Sequence, residues 1–252
     1  MNRVIAIIPA RLGSSRFPNK PLARLCGRTM IEHVFQRARL CPLLDGVYIA
    51  TCDAAIADEA ARFGAPAIMT AATHERASDR VAEAARNLEA DIVVLLQGDE
   101  PMIQPAMIEA AVRPMLADSA IGCVNLAAPI RSAEEFEDRN TIKVVLAANG
   151  DALYFSREPI PTCQRLAWGE FPAWKQVCII PFRRECLLAY ARLPPTPLEI
   201  AESIDMLRLL EHGRGVRMVP SDAESYAVDT PADRIRVEAL LQSDPLLARY
   251  RS

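Results

Sequence analysis

The sequence has few of the residues that stabilise small metal-bound or disulfide-bonded proteins. It holds three histidines in 252 residues, and its seven cysteines include no Cys-x-x-Cys pair. An odd number of scattered cysteines among apolar neighbours is typical of buried thiols in a reducing compartment. We therefore expect neither a disulfide framework nor a structural zinc site.

Long apolar segments and an excess of positive charge are also missing. No apolar run reaches the roughly 18 residues that a membrane span needs, and the first residues pass directly into a strand pattern without a signal-peptide pattern. A formal net charge of −3 argues against a general binder of nucleic acids or membrane surfaces. We expect a cytoplasmic protein with no nucleic-acid or membrane partner, in which any basic cluster serves a small anion.

Strand and helix patterns alternate through the first part of the chain. The predicted strands and helices, in order, are strand 4–9, helix 30–40, strand 46–51, helix 54–63, strand 67–69, helix 80–88 and strand 91–96. Continuous apolar strands between amphipathic helices predict an α/β fold with a doubly wound, mostly parallel sheet. Such a sheet binds its ligand at the carboxyl ends of its strands. The loops after Pro9, Thr51, Met69 and Leu96 should then meet at one crevice.

The second half departs from this alternation and predicts a smaller antiparallel or mixed part. Its predicted elements are strand 121–128, a hairpin of 142–146 and 152–155 about Asn149-Gly150, strand 177–182, helix 198–213, strand 216–219 and helix 230–241. Residues 157–176 hold several prolines and two tryptophans without periodicity. They predict a long loop over the ligand site or at a subunit contact.

The loop after the first predicted strand has the composition of a triphosphate site. Its cations are Arg11, Arg16 and Lys20, and its small residues are Gly13, Ser14 and Ser15. Cationic side chains make charge-assisted hydrogen bonds to phosphate oxygens, and small residues let backbone N–H groups approach them. The loop has neither the Gly-Lys-Ser/Thr ending of a Walker A motif nor the spaced glycines of a dinucleotide fold. The alternative is a cluster of solvated surface cations.

Two acidic turns are candidates for binding a metal ion. Gln97-Gly98-Asp99-Glu100-Pro101 follows the most apolar strand, and Val228-Asp229-Thr230-Pro231 precedes the last predicted helix. One or two carboxylates together with phosphate oxygens are the usual ligands of Mg²⁺ in nucleotide enzymes. The alternatives are that Asp229 caps the helix and that Glu100 is a surface acid.

Four motifs together resemble the 3-deoxy-manno-octulosonate (Kdo) cytidylyltransferase family. They are Pro9-Ala10-Arg11 with Ser14-Ser15-Arg16 and Lys20-Pro21-Leu22, Gln97-Gly98-Asp99-Glu100-Pro101, Ala152-Leu153-Tyr154-Phe155-Ser156-Arg157 with Pro159-Ile160-Pro161, and Val228-Asp229-Thr230-Pro231. They occur in the family's order along nearly the whole chain. The resemblance implies a Rossmann-like sugar nucleotidyltransferase fold, a homodimer, and a place in lipopolysaccharide biosynthesis. It also implies attack of the sugar's anomeric hydroxyl on the α-phosphate of CTP, with release of pyrophosphate.

The resemblance also implies roles for individual residues and parts of the chain. Carried over by position, the catalytic residues are Arg11, Lys20, Asp99 and Asp229, with Mg²⁺ on Asp99 and Asp229. The nucleotide-binding residues are Ala10, Arg11, Ser14, Lys20, Ser78, Arg80 and Gln97, and the acceptor-binding residues are Gln97, Arg157, Gln176, Glu202 and Asp205. We expect a single domain with a nucleotide-binding part at about 1–120, an acceptor-binding and dimerisation part at about 121–220, and a closing helix at 230–241.

The acceptor side departs from the family pattern. The family's sugar-binding histidine is replaced by Gln176, a tyrosine by Ile180, a glycine by Pro181 and a glutamine by Met206. In the segment that reads cytosine, Ala77-Ser78 replaces Gly-Thr. Three hypotheses follow: transfer to Kdo or a related 2-keto-3-deoxy sugar acid, transfer to another acid such as a phosphonate, and a non-catalytic nucleotide-binding homologue. On periodicity alone, Ile180 and Met206 are core residues.

Overall fold

The structure is a computed structural model, and it describes residues 2–13, 17–222, 224 and 226–250. Its strands are β1 (Val4–Ala10), β2 (Arg24–Leu25), β3 (Arg28–Thr29), β4 (Gly46–Thr51), β5 (Ala67–Met69), β6 (Ile92–Leu96), β7 (Val124–Pro129), β8 (Lys143–Leu146), β9 (Ala152–Ser156), β10 (Trp174–Val177), β11 (Ile179–Arg183) and β12 (Arg217–Pro220). Its α-helices are α1 (Met30–Ala38), α2 (Ala54–Arg62), α3 (Ala77–Ala85), α4 (Pro105–Ala117), α5 (Ala133–Glu137), α6 (Arg184–Tyr190), α7 (Pro197–Glu202), α8 (Met206–Glu211) and α9 (Pro231–Gln242). Short 3₁₀ helices lie at Lys20–Leu22 and Pro245–Tyr250.

The first sheet has the strand order β11-β6-β1-β4-β5. The four strands β6, β1, β4 and β5 are parallel, and β11 is antiparallel to β6. Parallel pairing brings the carboxyl ends of β1, β4 and β6 to the same edge of the sheet. The loops that carry the candidate site residues begin at this edge. The predicted fold class is therefore confirmed.

The central strand β1 is buried because apolar residues occupy both of its faces. Val4, Ala6 and Ile8 pack into one core with α1, α2 and α4. Ile5 and Ile7 point the other way and pack with α3, α6 and α8. Successive side chains of a strand alternate between faces, so a continuous apolar run is what two helical layers require.

The second sheet has the order β12-β7-β10-β8-β9 and is mostly antiparallel, with β12 parallel to β7. The predicted hairpin is present as β8 and β9. An isolated bridge between Cys123 and Phe182 joins the start of β7 to β11, which places the two sheets side by side. The end of β10 and the start of β11 consequently lie close to the carboxyl edge of the first sheet, where Ile179 pairs with Leu96.

Two predicted elements were wrong because each is interrupted. The predicted strand 177–182 breaks at Cys178 into β10 and β11, which belong to different sheets. The predicted helix 198–213 breaks at Ser203, whose φ of 56° is incompatible with continuing a right-handed helix. Three helices, α4, α5 and α6, were not predicted at all.

The long loop before β10 packs on the protein rather than over the ligand site. Trp168 and Phe171 stack against Phe136 of α5, with ring centroids 5.0 and 6.0 Å from the Phe136 ring. Ile130 and Ala173 complete this small core. Within the described residues, no helix is both long enough and apolar enough to cross a membrane.

Candidate active site

The loop after β1 carries Arg11 and Lys20 to the carboxyl edge of the first sheet. The loop is held by Asp53, whose Oδ2 accepts a hydrogen bond from the backbone N–H of Leu12 at 2.8 Å. The turn after β4 therefore supports this loop, as the predicted crevice requires. Ala10 ends β1 and lines the adjoining cavity together with the exposed Arg11. Ser14, Ser15 and Arg16 lie outside the described residues.

Lys20 joins the two candidate metal-binding carboxylates. Its Nζ donates to Asp99 Oδ2 at 2.6 Å and to Asp229 Oδ1 at 3.2 Å. Burial lowers the pKa of Lys20, but the negative charges and hydrogen bonds of both aspartates outweigh it and raise the pKa above its usual value. Two carboxylate oxygens from distant parts of the chain thus lie around one cationic atom.

The structure excludes the alternative interpretation of each acidic turn, the helix cap at Asp229 and the surface acid at Glu100. Helix α9 is capped by Thr230 and Asp233 in a capping box, so Asp229 is not the cap. The surface interpretation of Glu100 is wrong as well, since this residue is only 7% exposed. Its position beside Asp99 adds negative potential to the same turn.

Two cavities meet at this cluster. We name the one at the strand ends, about 430 Å³, the inner cavity, and its larger neighbour, about 880 Å³, the outer cavity. Lys20 lines the inner cavity, Asp229 lines the outer cavity, and Asp99 lines both. Six residues line both cavities: Gln97, Asp99, Ile142, Arg157, Gln176 and Cys178. The arrangement can therefore hold two ligands whose reacting groups meet beside Asp99.

Gly98 brings the β6 turn close to the end of β1. A Cβ atom at this position would lie 3.2 Å from the carbonyl oxygen of Pro9 and 3.4 Å from Ile8 Cγ2. The absence of a side chain therefore lets the turn that carries Asp99 approach the loop that carries Arg11.

The far end of the inner cavity is formed by the start of α3. Arg80 is 3% exposed and donates from Nη1 to Thr70 Oγ1 at 2.5 Å and to the carbonyl oxygen of Ala71 at 3.3 Å. Its Nη2 is buried and has no hydrogen-bond partner within the described ranges. A buried guanidinium with an unused donor on a cavity wall is suited to bind the carbonyl group of a ligand.

Asp205, which lines the inner cavity, holds the buried Ser78 at the start of α3. The backbone N–H of Ser78 donates to Asp205 Oδ2 at 3.1 Å, and Ser78 is fully buried outside the cavity lining. Burial raises the pKa of Asp205, against the hydrogen bond from Ser78 that lowers it. Asp205 lies at the α3 end of the inner cavity, away from the outer cavity, so it sits beside the predicted nucleotide residues.

A buried ionic network joins α3 to α7 and α8 at the same end. Arg208 donates to both carboxylate oxygens of Glu199, at 2.7 and 2.6 Å, and to Asp79 at 2.9 Å. Its guanidinium also stacks 4.3 Å from the centre of the Tyr190 ring. Arg76, which sequence reasoning did not assign to the site, lines the inner cavity and donates to Ser203 Oγ at 2.6 Å.

Arg157 places a cation where the two cavities meet. Its guanidinium donates to three backbone carbonyl oxygens, those of Glu202 at 2.7 Å, Arg139 at 3.0 Å and Ser203 at 3.4 Å. Carbonyl partners fix the side chain without neutralising its charge, so Arg157 is suited to attract an anionic ligand.

Glu202 supports Arg157 and lines neither cavity. Its carboxylate accepts from the backbone N–H of Arg157 at 2.8 Å and from the Ser156 hydroxyl at 2.7 Å. Burial raises the pKa of Glu202, but these hydrogen bonds outweigh it and lower the pKa overall. Lys143, another residue missed from the sequence, also holds this turn, since its buried ammonium donates to the carbonyl oxygen of Arg157 at 2.5 Å.

Gln97 and Gln176 add neutral polar groups at the junction. Gln97 follows β6, and its backbone N–H donates to the carbonyl oxygen of Cys178 at 3.3 Å. Gln176 lies on β10, and its Nε2 donates to Asn125 Oδ1 at 2.6 Å. Met206 is a fully buried core residue, as periodicity indicated, whereas Ile180 is 4% exposed and also lines the inner cavity.

Comparison with known proteins shows the family of this chain. The family model described as cytidylyltransferase matches residues 5–218. The 3-deoxy-manno-octulosonate cytidylyltransferase of Geobacter metallireducens is 43% identical over 93% of this chain and 96% of its own length, and that of Syntrophotalea carbinolica is 44% identical over 95% and 98%. A solved structure of CMP:2-keto-3-deoxy-manno-octonic acid synthetase complexed with CTP has a TM-score of 0.89 at 40% identity and covers 95% of this chain and 98% of its own. The chain belongs to the cytidylyltransferase family.

Proposed function

We propose that this protein transfers CMP from CTP to the anomeric hydroxyl of Kdo and releases pyrophosphate. The observation that carries the proposal is the junction of two cavities at Asp99, where Lys20 and Asp229 also meet. Relatives above 40% identity along nearly their whole length are named for this reaction, which supports Kdo as the acceptor.

The inner cavity fits the nucleotide. Arg11 and Lys20 lie at the strand ends, where they would bind the triphosphate, and Ser14 stands between them in the sequence. Arg80 lies at the opposite end, where its unused Nη2 donor would bind a carbonyl oxygen of cytosine. Ser78 would act behind Arg80 by holding Asp205 rather than by touching the base.

Asp99 and Asp229 fit a magnesium site. Their oxygens lie within hydrogen-bonding distance of one cationic atom, Lys20 Nζ, and carboxylates with phosphate oxygens are ligands that Mg²⁺ prefers. Bound there, Mg²⁺ would neutralise charge on the α-phosphate and lower the pKa of the acceptor hydroxyl. With CTP bound, phosphate oxygens would compete with the two carboxylates for the Lys20 ammonium.

The junction of the cavities fits the acceptor. Arg157 would bind the carboxylate of the sugar acid, and the side chains of Gln97 and Gln176 would bind its hydroxyl groups. Glu202 would position Arg157 through the contacts described above. Phosphoryl transfer depends on positioning and charge neutralisation, so no protein nucleophile is needed.

A different acid, such as a phosphonate, is the second candidate, and the departures at Gln176 and Ile180 favour it. Gln176 lines both cavities and Ile180 lines the inner one, and the resemblance assigns both positions to the acceptor. A non-catalytic nucleotide-binding homologue would have no need to bring Asp99 and Asp229 together.

Pyrophosphate release from CTP and Mg²⁺ distinguishes the three. We expect turnover with Kdo to exceed turnover with other 2-keto-3-deoxy acids and with phosphonates, and the variant Asp99→Asn to abolish it. Turnover with another acid but not with Kdo would show that the other acid is the acceptor. No turnover with any acid would favour the non-catalytic nucleotide-binding homologue.

We also propose that the enzyme is a homodimer, as the resemblance implies, and that it is cytoplasmic, as the absence of membrane-span and signal-peptide patterns in the sequence suggests. Light scattering after size-exclusion chromatography tests the dimer, and a single-chain mass would contradict it. Fractionation of the producing cells tests the location.

A further inference from the structure

We propose that Asn125 is a positioning residue for the acceptor, because it fixes the Gln176 amide so that the carbonyl oxygen of Gln176 faces the cavity junction. This inference rests on the proposed function. Gln176 stands in place of the family's sugar-binding histidine. In this chain, the Gln176 amide, held by the amide of Asn125, would bind the sugar acid at this position.

The orientation of Asn125 follows from its hydrogen bonds. Asn125 lies on β7 and is fully buried. Its Nδ2 donates to the carbonyl oxygens of Val177 at 2.7 Å and Leu126 at 2.9 Å. These two bonds use both hydrogens of the amide. The reverse orientation would place Oδ1 against two carbonyl oxygens, where neither side has a hydrogen to donate, so Oδ1 points the other way.

The orientation of Asn125 then determines that of Gln176. Asn125 Oδ1 can only accept a hydrogen bond, and the terminal amide of Gln176 lies 2.6 Å from it. The Gln176 amide must therefore turn its NH₂ group toward Asn125. Gln176 is held along β10 as well, because its backbone N–H donates to the carbonyl oxygen of Ile142 at 2.8 Å.

The Gln176 amide keeps its carbonyl oxygen and one N–H hydrogen for a ligand, because Asn125 Oδ1 accepts only the other hydrogen. Gln176 lines both cavities, beside Asp99 and Arg157. A fixed carbonyl oxygen accepts a hydrogen bond, so the matching ligand group is a hydroxyl that donates one. Unlike an imidazole, an amide neither changes charge between pH 5 and 8 nor exchanges donor and acceptor by tautomerism. The pair therefore selects an acceptor hydroxyl at this position over the whole of that range.

A double-mutant cycle with Kdo as the varied substrate tests the pair. We expect Asn125→Ala and Gln176→Met each to raise the KM for Kdo about tenfold, the loss of roughly one hydrogen bond. We expect the double variant to add less than about twofold to the effect of Gln176→Met, since residues that act through one another are not additive. The KM for CTP should stay within about twofold in all variants. Val144→Ala, a buried truncation on β8 that lines neither cavity, is the control for general destabilisation.

The possible results separate this inference from the proposed function. Wild-type protein that releases no pyrophosphate with Kdo overturns the proposed function, and the inference that rests on it. Wild-type turnover combined with multiplicative effects in the double variant, or with equal increases in the KM of Kdo and CTP, overturns the inference alone. If Asn125→Ala does not fold, Asn125→Ser takes its place in the cycle with the same expectation.

Discussion

The backbone N–H of Val228 donates a hydrogen bond to the carbonyl oxygen of Asp99 at 2.9 Å. This hydrogen bond joins the turn after β6 to the turn before α9. The backbone contact therefore holds the Asp99 and Asp229 carboxylates close to Lys20, which pairs with both. The two turns come from distant parts of the sequence, and their union forms the junction at which we place phosphoryl transfer.

Replacing either carboxylate should impair turnover more than binding. We expect Asp99→Asn and Asp229→Asn to lower kcat about 100-fold or more, because each removes a metal ligand that matters most in the transition state. The dissociation constant for CTP should change less than about threefold. Steady-state kinetics and titration calorimetry measure the two quantities, and equal losses in both would contradict the assigned role.

Substituting Gly98 should displace Asp99. We expect Gly98→Ala to reduce kcat about tenfold, because its Cβ must push the β6 turn away from the Pro9 carbonyl oxygen. Gly215→Ala is the matched control, since a Cβ there meets its nearest neighbour, Asp151, at an ordinary 3.7 Å. Parallel assays of the two variants check this, and unchanged turnover in Gly98→Ala would show that the close approach is not needed.

The buried network at the inner cavity should dominate the stability of the α3 end. We expect Arg208→Met to cost about 3 kcal/mol of unfolding free energy, because it leaves the buried Glu199 carboxylate with only the longer, 3.6 Å ion pair to Arg76. Arg217→Met, which breaks a half-exposed pair with Asp151, should cost less than about 1 kcal/mol. Urea unfolding measures the free energy of unfolding of both variants. Similar losses would show that burial does not determine how much these ion pairs contribute to stability.

His33 should make the fold sensitive to acid. The ring is fully buried, with Nε2 2.8 Å from the carbonyl oxygen of Leu25 and Nδ1 3.0 Å from the Tyr250 hydroxyl. Burial lowers the pKa of His33 to about 4, from about 6.5 in the unfolded chain. The unfolded state therefore binds more protons between these values, and stability falls as the pH drops from 6.5 toward 4, by up to about 3 kcal/mol.

Urea unfolding at pH 7, 6, 5 and 4.5 measures this loss. His33→Gln should flatten the dependence in this window, and His212→Gln should not, because the His212 side chain is exposed. An unchanged slope in His33→Gln would assign the acid sensitivity to other groups.

The fold of the first half could be predicted because its local pattern matches its environment. β4 and β5 were predicted with their bounds, and β1, an apolar run buried on both faces, ends only one residue beyond its prediction. Helix α4 was missed because Pro105 begins it and Pro114 lies inside it, and prolines ordinarily mark breaks. The strand break at Cys178 depends on which sheet each half joins, and no local signal encodes that.

Some residues of the candidate site could likewise be predicted from the sequence, and others could not. Charged residues in polar turns pointed to Arg11, Lys20, Asp99 and Asp229, because their chemistry is visible in the sequence. Asn125 could not be identified from the sequence, because the role of a neutral amide in an apolar strand depends on the residue opposite it, here Gln176. Lys143 could have been noticed in the sequence, because it is a single charged residue within an apolar strand pattern. Its ammonium donates a hydrogen bond to the carbonyl oxygen of Arg157.

The most direct test of the account is a ³¹P NMR experiment on the complete reaction, with wild-type protein, CTP, Mg²⁺ and Kdo. The account predicts one new phosphodiester signal, from CMP joined to the sugar acid, for each pyrophosphate formed, and neither product with Asp99→Asn. Conversion of CTP to free CMP without the diester, or no change in the CTP signals, would contradict transfer to Kdo.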